Sequence, residues 1–283
     1  MPLKSVFITG TKSGIGLELV RQFASSDTAP THIFASARNP KQARGLSALA
    51  EAHQNVHLVD LDVADDQQIE GAMAYVSSFF GEEGLNLLIN NAGALIPEGS
   101  RFPQLKRDVI NRQLDVNASS PLMLAQAFFA LLKKAADKQK SAPMSISRAA
   151  VINITSGAGS LHNKLVYSAS LIGSYGYRSS KVPVLGPIED YCSLKHGILI
   201  AGFCPGYVDT GMSEKLEEYL RGQPIPRALI ITKKQSPEES VAIIMATLNR
   251  LKDEHNGGYF RQNGEKIEDF DFASASEDSS YDQ

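Results

Sequence analysis

A chain of 283 residues with 43% hydrophobic content is long enough to bury a large core, and we expect one domain. Its formal net charge of -3, with scattered lysines and arginines, argues against a nucleic-acid partner, and no apolar run is long enough to cross a bilayer. Cys192 and Cys204 are too few for a disulfide scaffold, and the apolar start at residues 6–8 is too short for a signal peptide, so we expect a cytoplasmic protein.

Short β-rich runs alternate along the chain with longer amphipathic stretches. The predicted strands cover residues 5–9, 32–37, 56–61, 85–90, 149–154 and 198–203. The predicted helices cover residues 15–24, 40–53, 66–80, 107–136 and 237–251. Because the strand runs are almost continuously apolar, helices should cover both sheet faces. The pattern predicts a single-domain Rossmann-type α/β fold, a doubly wound parallel sheet in a three-layer αβα sandwich.

The predicted domain spans residues 1–272. Ser236 and Pro237, followed by Glu239, form a helix start signal before the last predicted helix. Residues 138–147 are rich in Lys, Ser and Pro and predict a surface loop. Residues 273–283 are acidic with little to bury, which predicts a disordered tail; an acidic lid or peptide ligand is the alternative.

A glycine-rich turn joins the first predicted strand to the first predicted helix. Such a turn lets the backbone approach a phosphate and lets the N–H groups at the start of the helix face the anion. The alternative is an ordinary glycine-containing turn without a ligand. The candidate pyrophosphate site consists of Gly10, Lys12, Ser13, Gly14, Ile15 and Gly16.

Tyr177 and Lys181 are four residues apart, so on a helix they share one face. A phenol beside an ammonium suits the reduction of a ketone or aldehyde by a nicotinamide, because that reaction requires a proton donor beside the developing alkoxide. The ammonium and an oxidised nicotinamide would lower the phenol pKa from about 10 toward working pH. Tyr191 and Lys195 have the same spacing, but they lie too close to the predicted strand at 198–203 for a long helix. Tyr177 is therefore the preferred candidate.

The order of the motifs resembles the short-chain dehydrogenase/reductase family. The glycine turn, residues 90–93 (Asn-Asn-Ala-Gly), Asn117, Ser156 and the Tyr177 pair follow in the family's order between residues 5 and 210, with a recognisable ending near 257–260. Within the family the chain is most similar to the C-factor and sniffer-like carbonyl reductases. The resemblance implies NADP(H)-dependent reduction of a small-molecule carbonyl substrate, without a metal.

The resemblance also implies which further residues bind the cofactor. The family's acid for ribose hydroxyls usually stands where Ala37 is, and the following Arg38 is similar to NADP(H)-preferring members, with Lys12 adding positive charge. NADP(H) is therefore favoured over NAD(H). Asp62 is assigned near the adenine ring, with Asp60 as a competitor. The remaining implied contacts are Val63, Asn90, Asn91, Ala92, Gly93, Tyr177, Lys181, Pro205, Gly206, Val208 and Thr210.

The catalytic roles are also implied by the resemblance. Tyr177 donates the proton, and Lys181 holds the ribose and tunes Tyr177. Ser156 hydrogen-bonds the substrate carbonyl, with Thr155 as the fallback. Asn117 helps to hold a water in the proton relay; the alternative is a buried asparagine that kinks a long helix.

The chain departs from the family directly after Lys181. Residues 182–190 hold two prolines and a glycine, and each interior proline costs a helix about 3 kcal/mol. We expect the helix to break or start late, which weakens a family-type homodimer. The alternative function is a nucleotide-binding scaffold or redox sensor with little turnover. Residues 95–103, 161–174 and 213–231 are the expected pocket walls.

Overall fold

The computed structural model describes residues 2–101, 103–159, 174–181, 192–193, 195–221 and 234–267. Within these residues, a parallel sheet of seven strands has the order β3-β2-β1-β4-β5-β6-β7. The strands are β1 (Ser5–Thr9), β2 (His32–Ala37), β3 (Val56–Asp60), β4 (Leu87–Asn90), β5 (Ala150–Ile154), β6 (Leu199–Cys204) and β7 (Gly258–Arg261). The strand order reverses between β1 and β4, which is the topological switch point of a doubly wound sheet.

Helices cover both faces of this sheet. In the described part of the chain they are α1 (Gly14–Ala24), α2 (Arg44–Ala52), α3 (Asp66–Ser77), α4 (Arg107–Leu114), α5 (Ser120–Lys138), α6 (Tyr175–Ser180), α7 (Gly211–Leu220) and α8 (Pro237–Leu248). Ser236 and Glu239 form a capping box at the start of α8, as the sequence predicts. The predicted Rossmann-type three-layer fold is confirmed.

Two apolar clusters form the core, one on each face of the sheet. On one face, Leu19 of α1 and Ile244 of α8 pack in the same cluster as Ile8 of β1. On the other face, Phe128 of α5 packs on Phe7 with ring centroids 4.6 Å apart. Each such buried side chain contributes about 1.5–3 kcal/mol. Because both faces are covered, the strands are apolar throughout, which is the pattern the sequence shows.

Two predicted helices are interrupted. The helix predicted over residues 107–136 is a continuous helical stretch, but Asp115–Ser119 within it forms a π-helical turn between α4 and α5. The carbonyl oxygen of Asp115 accepts both the backbone N–H of Ser120, in the wider register of the turn, and the Ser120 hydroxyl at 2.9 Å. The helix predicted over 40–53 divides into a 3-10 turn, Pro40–Gln42, and α2, since Ala43 has non-helical backbone angles.

Other boundaries agree more closely. Residues 139–149 lie outside helices and strands, as predicted for the surface loop. Several predicted features lie outside the described residues. They are the pocket loop within 161–173, the proline-containing segment after Lys181 within 182–191, much of the third pocket wall at 222–231 and the acidic tail at 273–283. Among the helices of the described part, none combines the length and the hydropathy that crossing a membrane requires.

Candidate active site

The predicted site residues gather where the parallel strands end. Gly10 follows β1, Arg38 follows β2, Asn91 follows β4, Ser156 lies two residues beyond β5, and Pro205 follows β6. The carboxyl ends of parallel strands share one edge of the sheet, and ligands of such folds bind at that edge near the switch point. The fold therefore brings segments that are far apart in sequence to one cleft.

The glycine turn comes close to neighbouring backbone. Gly10 and Gly14 have φ values of +71° and +59°, in the left-handed region that side chains disfavour. A Cβ on Gly16 would lie 2.3 Å from the carbonyl oxygen of Gly10, so no side chain fits there. Ser13, the N-cap residue of α1, makes no capping hydrogen bond with its side chain in the described structure. The first N–H groups of α1 are thus available to an anion, which fits a dinucleotide pyrophosphate.

The Asn-Asn-Ala-Gly segment joins β4 to β1. The hydroxyl of Thr9 accepts hydrogen bonds from the backbone N–H groups of Asn91 and Ala92, both at 3.0 Å. The Asn91 amide donates to the carbonyl oxygen of Thr9 at 2.8 Å. Asn90, in the strand, donates instead to the Oδ1 atom of Asn153 at 2.8 Å. Asn91 thus supports the start of the glycine turn, whereas Asn90 links β4 to β5.

Charged side chains surround Asp62 beyond the ends of β2 and β3. The guanidinium of Arg38 lies 3.8 Å from the Asp62 carboxylate, and that of Arg112 lies 3.3 Å from it. Asp60 instead accepts a hydrogen bond from the backbone N–H of Asn39 at 2.9 Å and supports a turn in which Asn39 has a φ of +51°. The structure therefore separates the two candidate acids, and Asp62 is the one in the charged cluster. The sequence does not predict the contact between Arg112 and Asp62, because the two residues are 50 positions apart and no local pattern links them.

Tyr177 and Lys181 project from the short helix α6 and its C-cap into the buried end of the cleft. The Ser156 side chain is near enough to Tyr177 to lower the pKa of its phenol, and the Lys181 Nζ atom lies 5.9 Å from the centre of the Tyr177 ring. Thr155, the fallback for Ser156, has a buried hydroxyl without a hydrogen-bond partner among the described residues. Of these two residues it is Ser156 whose side chain acts on Tyr177, so the arrangement favours Ser156 over Thr155 as the predicted substrate contact.

Burial controls the ionisation of this pair. It raises the pKa of the Tyr177 phenol to about 12, although the Ser156 side chain acts in the opposite direction. It lowers the pKa of the Lys181 ammonium to about 8. In the chain by itself the loss of hydration outweighs the effect of Ser156. At neutral pH the phenol therefore carries its proton. The predicted lowering of the phenol pKa includes a bound oxidised nicotinamide and stays a prediction.

Asn117 lies in the π-helical turn and is buried. Its Oδ1 atom accepts from the Ala94 N–H at 2.8 Å, and its Nδ2 atom donates to the Ala94 carbonyl and to the Ser180 hydroxyl, both at 2.8 Å. The Ser180 hydroxyl in turn donates to the carbonyl oxygen of Tyr177 at 2.8 Å. Asn117 thus ties the loop after β4 to α6, and its part in a proton relay stays a prediction.

The segment after β6 faces the glycine turn. The Thr210 methyl group lies 3.0 Å from the position that a Cβ on Gly14 would occupy. Thr210 also begins α7 in a capping box with Ser213. The carbonyl oxygen of Pro205 accepts a hydrogen bond from Ser240 at 2.8 Å, which holds the segment against α8. The predicted contacts Gly206 and Val208 lie between these two anchors, while Val63 is buried beyond β3 and Gly93 lies beside Asn117 and Lys181.

Cys204 is the last residue of β6 and lies near the candidate site. Cys204, which the sequence indicates only as a free thiol and not as a site residue, accepts a hydrogen bond from the N–H of Gly157, next to Ser156, at 3.1 Å. Its place as the last residue of β6, before Pro205, is the signal that could have identified it.

Lys195 of the competing pair is exposed just before the opposite end of β6, while Tyr191 lies outside the described residues. This position agrees with the choice of Tyr177.

Comparison with known proteins places the chain in a family. The model of the family described as short chain dehydrogenase matches residues 4–220. The NADPH-bound carbonyl reductase from chicken fatty liver has a TM-score of 0.81 and 31% identity, covering 94% of this chain and 99% of that chain. The carbonyl reductase Sniffer of D. melanogaster has a TM-score of 0.81 and 30% identity, with the same coverage of 94% and 99%. An uncharacterised oxidoreductase of Schizosaccharomyces pombe is 28% identical over 265 residues, 92% of this chain and 96% of that protein. With its fold, its glycine turn and a family match over most of its length, the chain belongs to the short-chain dehydrogenase family of oxidoreductases.

Proposed function

We propose that the protein is an NADP(H)-dependent reductase that converts the carbonyl group of a small ketone or aldehyde into an alcohol, with Tyr177 as the proton donor. The observation that carries the proposal is the buried position of Tyr177, with the Lys181 ammonium beside its ring and Ser156 near enough to act on its pKa. Similarity over the whole chain to a carbonyl reductase that binds NADPH supports the reaction and the cofactor.

The preference for NADP(H) is argued from charge. The cleft has an alanine, Ala37, at the end of β2, where an acid would bind the ribose hydroxyls and repel a 2'-phosphate. The Arg38 side chain is 70% exposed, 3.8 Å from Asp62, and would pair with that phosphate. Lys12 adds a second exposed cation within the glycine turn. Gly10, Gly14 and Gly16 would hold the pyrophosphate against the start of α1.

The chain's own residues account for the rest of the reaction. When bound, the reduced nicotinamide supplies the hydride. Ser156 orients the carbonyl oxygen, and Tyr177 donates its proton to that oxygen as negative charge develops there. The Lys181 ammonium then stabilises the phenolate that is left on Tyr177. Asn117, which joins the loop after β4 to α6, supports the resupply of the proton.

Three further inferences belong to the proposal. We infer one domain over residues 1–272, supported by the single sheet formed by β1–β7, with an acidic tail at 273–283. We infer a cytoplasmic location, supported by the free and buried thiols of Cys192 and Cys204. We infer that a homodimer through the helix after Lys181 is weakened by the prolines at 183 and 187.

The test is the loss of NADPH absorbance with a panel of small ketones and aldehydes. We expect turnover by the wild-type protein and its abolition in Tyr177→Phe. The matched control is Tyr175→Phe, because Tyr175 lies on the same short helix with 49% of its surface exposed and should keep its activity. NADPH binding without turnover across the panel would overturn the proposal in favour of a nucleotide-binding scaffold.

A further inference from the structure

The helix that presents Tyr177 is very short. α6 spans six residues, Tyr175–Ser180. Isolated helices shorter than about 12 residues are marginal in water, because nucleation costs more than a single turn returns. The position of Tyr177 therefore depends on contacts that hold α6 from outside.

Ser100 caps the start of this helix from another part of the chain. Its carbonyl oxygen accepts a hydrogen bond from the Tyr175 N–H at 2.9 Å, and its hydroxyl accepts one from the Gly176 N–H at 3.1 Å. The first N–H groups of a helix have no partner within it, and a serine oxygen is a preferred acceptor for them. Ser100 is fully buried, so no water competes for these bonds.

Gln113, in the last turn of α4, holds Ser100 in place. Its Nε2 atom donates to the Ser100 hydroxyl at 3.2 Å and to the Val109 carbonyl at 3.3 Å. Its Oε1 atom accepts from the Ile96 N–H at 3.0 Å. Gln113 is also fully buried, so both ends of its amide are used without water. A buried glutamine with all of these partners joins α4, the loop after β4 and α6.

The contact leaves no room for a side chain at position 176 unless Gln113 moves. A Cβ there would lie 2.5 Å from the Gln113 Nε2 atom and 3.0 Å from the Ser100 hydroxyl. The amide and the backbone of α6 are therefore packed directly against each other. Movement of either one must move Tyr177, which is the next residue.

The same stretch of helix holds the other end of α6. Asn117, four residues after Gln113, donates to the Ser180 hydroxyl at 2.8 Å. Two amides, one in α4 and one in the π-helical turn, thus hold the amino and carboxyl ends of α6. Both also bond the loop after β4, through Ile96 and Ala94.

We propose that Gln113 and Ser100 are positioning residues that fix the amino end of α6 and so hold the Tyr177 hydroxyl against Ser156. The kinetic consequence of the proposal rests on the proposed function. The hydrogen bonds of Gln113 lead to α4, α6 and the loop after β4, and not to the glycine turn. Loss of the amide should therefore lower kcat by much more than it weakens the binding of NADPH, because Tyr177 and Lys181 are the cofactor contacts that depend on α6.

The principal variant is Gln113→Met, which keeps the side-chain length and removes the hydrogen bonds. We expect kcat to fall by about tenfold to 100-fold, the size of effect that a misplacement of about 1 Å produces. The KM for NADPH should change by less than about twofold. Amide hydrogen exchange in a peptide covering residues 175–181 should become faster, since its external cap is lost.

The matched control is Asn86→Leu. Asn86 is also a buried amide, and it donates to the carbonyl oxygens of Ser147 and Arg148 at 2.8 and 3.1 Å, at the opposite edge of the sheet. It should lower the melting temperature without changing kcat or exchange at residues 175–181. If Gln113→Met fails to fold, Ser100→Ala, which removes a single hydroxyl, supplies the same comparison.

A double-variant cycle decides whether Ser100 and Gln113 act as a unit. We expect Ser100→Ala combined with Gln113→Met to lose about as much activity as Gln113→Met alone, because both break one chain of hydrogen bonds. Unchanged kcat and unchanged exchange at residues 175–181 in Gln113→Met would overturn the positioning role. A wild-type protein that reduces no carbonyl would refute the proposed function instead, and hydrogen exchange would still decide the role of Gln113.

Discussion

The ammonium of Lys181 donates a hydrogen bond to the carbonyl oxygen of Ile154 at 3.1 Å. Ile154 is the last residue of β5, and Ser156 follows two residues later. The lysine and the serine of the candidate site are therefore attached to the same end of one strand. The buried position of Lys181 that this bond requires is also the cause of its lowered pKa.

The rate of carbonyl reduction should fall as the pH rises above about 8. Burial lowers the pKa of Lys181 to about 8, so its ammonium loses its proton there and can no longer stabilise a phenolate on Tyr177. The measurement is kcat/KM against pH, which reports the free enzyme. A profile that stays flat to about pH 10 would contradict the assigned role of Lys181.

The stability of the folded chain should rise between about pH 8 and pH 9.5. In this range the unfolded chain, with a lysine pKa of 10.5, binds more protons than the folded chain, with a pKa of about 8, so the free energy of unfolding increases with pH. The penalty for burying the ammonium is present in full below about pH 8. We expect a rise of up to about 2 kcal/mol in urea titrations.

The variant Lys181→Met is the control for this pH dependence. It lacks the titrating group, so its stability should not show the rise. The Tyr177 phenol works in the opposite direction only above about pH 10, where the unfolded tyrosine loses its proton and the folded one, with a pKa of about 12, keeps it. Equal slopes in the wild type and the variant would show that another group is responsible.

Arg38→Asp should shift the cofactor preference from NADPH toward NADH. The substitution removes a charge-assisted bond to a 2'-phosphate and adds a repelling carboxylate near Asp62. We expect the KM for NADPH to rise by about tenfold or more, with a smaller change for NADH. Arg250→Asp, at an exposed arginine after α8, is the matched control and should leave both constants unchanged.

Two glycines should respond to alanine in opposite ways. Gly16→Ala places a Cβ 2.3 Å from the Gly10 carbonyl oxygen, so the turn must open and NADPH binding should be lost. Gly71→Ala, within α3, meets no atom within 4 Å and should stabilise the chain by about 0.5–1 kcal/mol. NADPH fluorescence measures the loss of binding in Gly16→Ala, and thermal unfolding measures the added stability of Gly71→Ala. Retained binding in Gly16→Ala would contradict the phosphate assignment.

Features with a short-range signal could be predicted from the sequence. The apolar runs of the strands and the spacing of Gly10, Gly14 and Gly16 are local patterns, and the structure places them as expected. β7 was expected only as a family ending near 257–260, because a four-residue strand has little pattern of its own. The Tyr177 and Lys181 pair was identified through its spacing on one helical turn.

Features that depend on contacts between distant segments could not be predicted. The bond between Ser100 and Gly176 joins residues 76 positions apart, and no local pattern of either residue predicts it. The π-helical turn at Asp115–Ser119 differs from an α-helix by one hydrogen-bond register, which composition does not reveal. The ionisation of Tyr177 and Lys181 is set by burial, which exists only once the fold has formed.

The π-helical turn gives one continuous helical stretch two rotational settings. One extra residue in a turn rotates everything that follows by about 100° relative to a regular α-helix. Before this turn, α4 directs Gln113 toward Ser100 and α6. After it, α5 directs Phe128 toward the sheet. Deleting a single residue between 115 and 119 would restore a regular helix, yet it would leave either the core or the cleft facing the wrong direction.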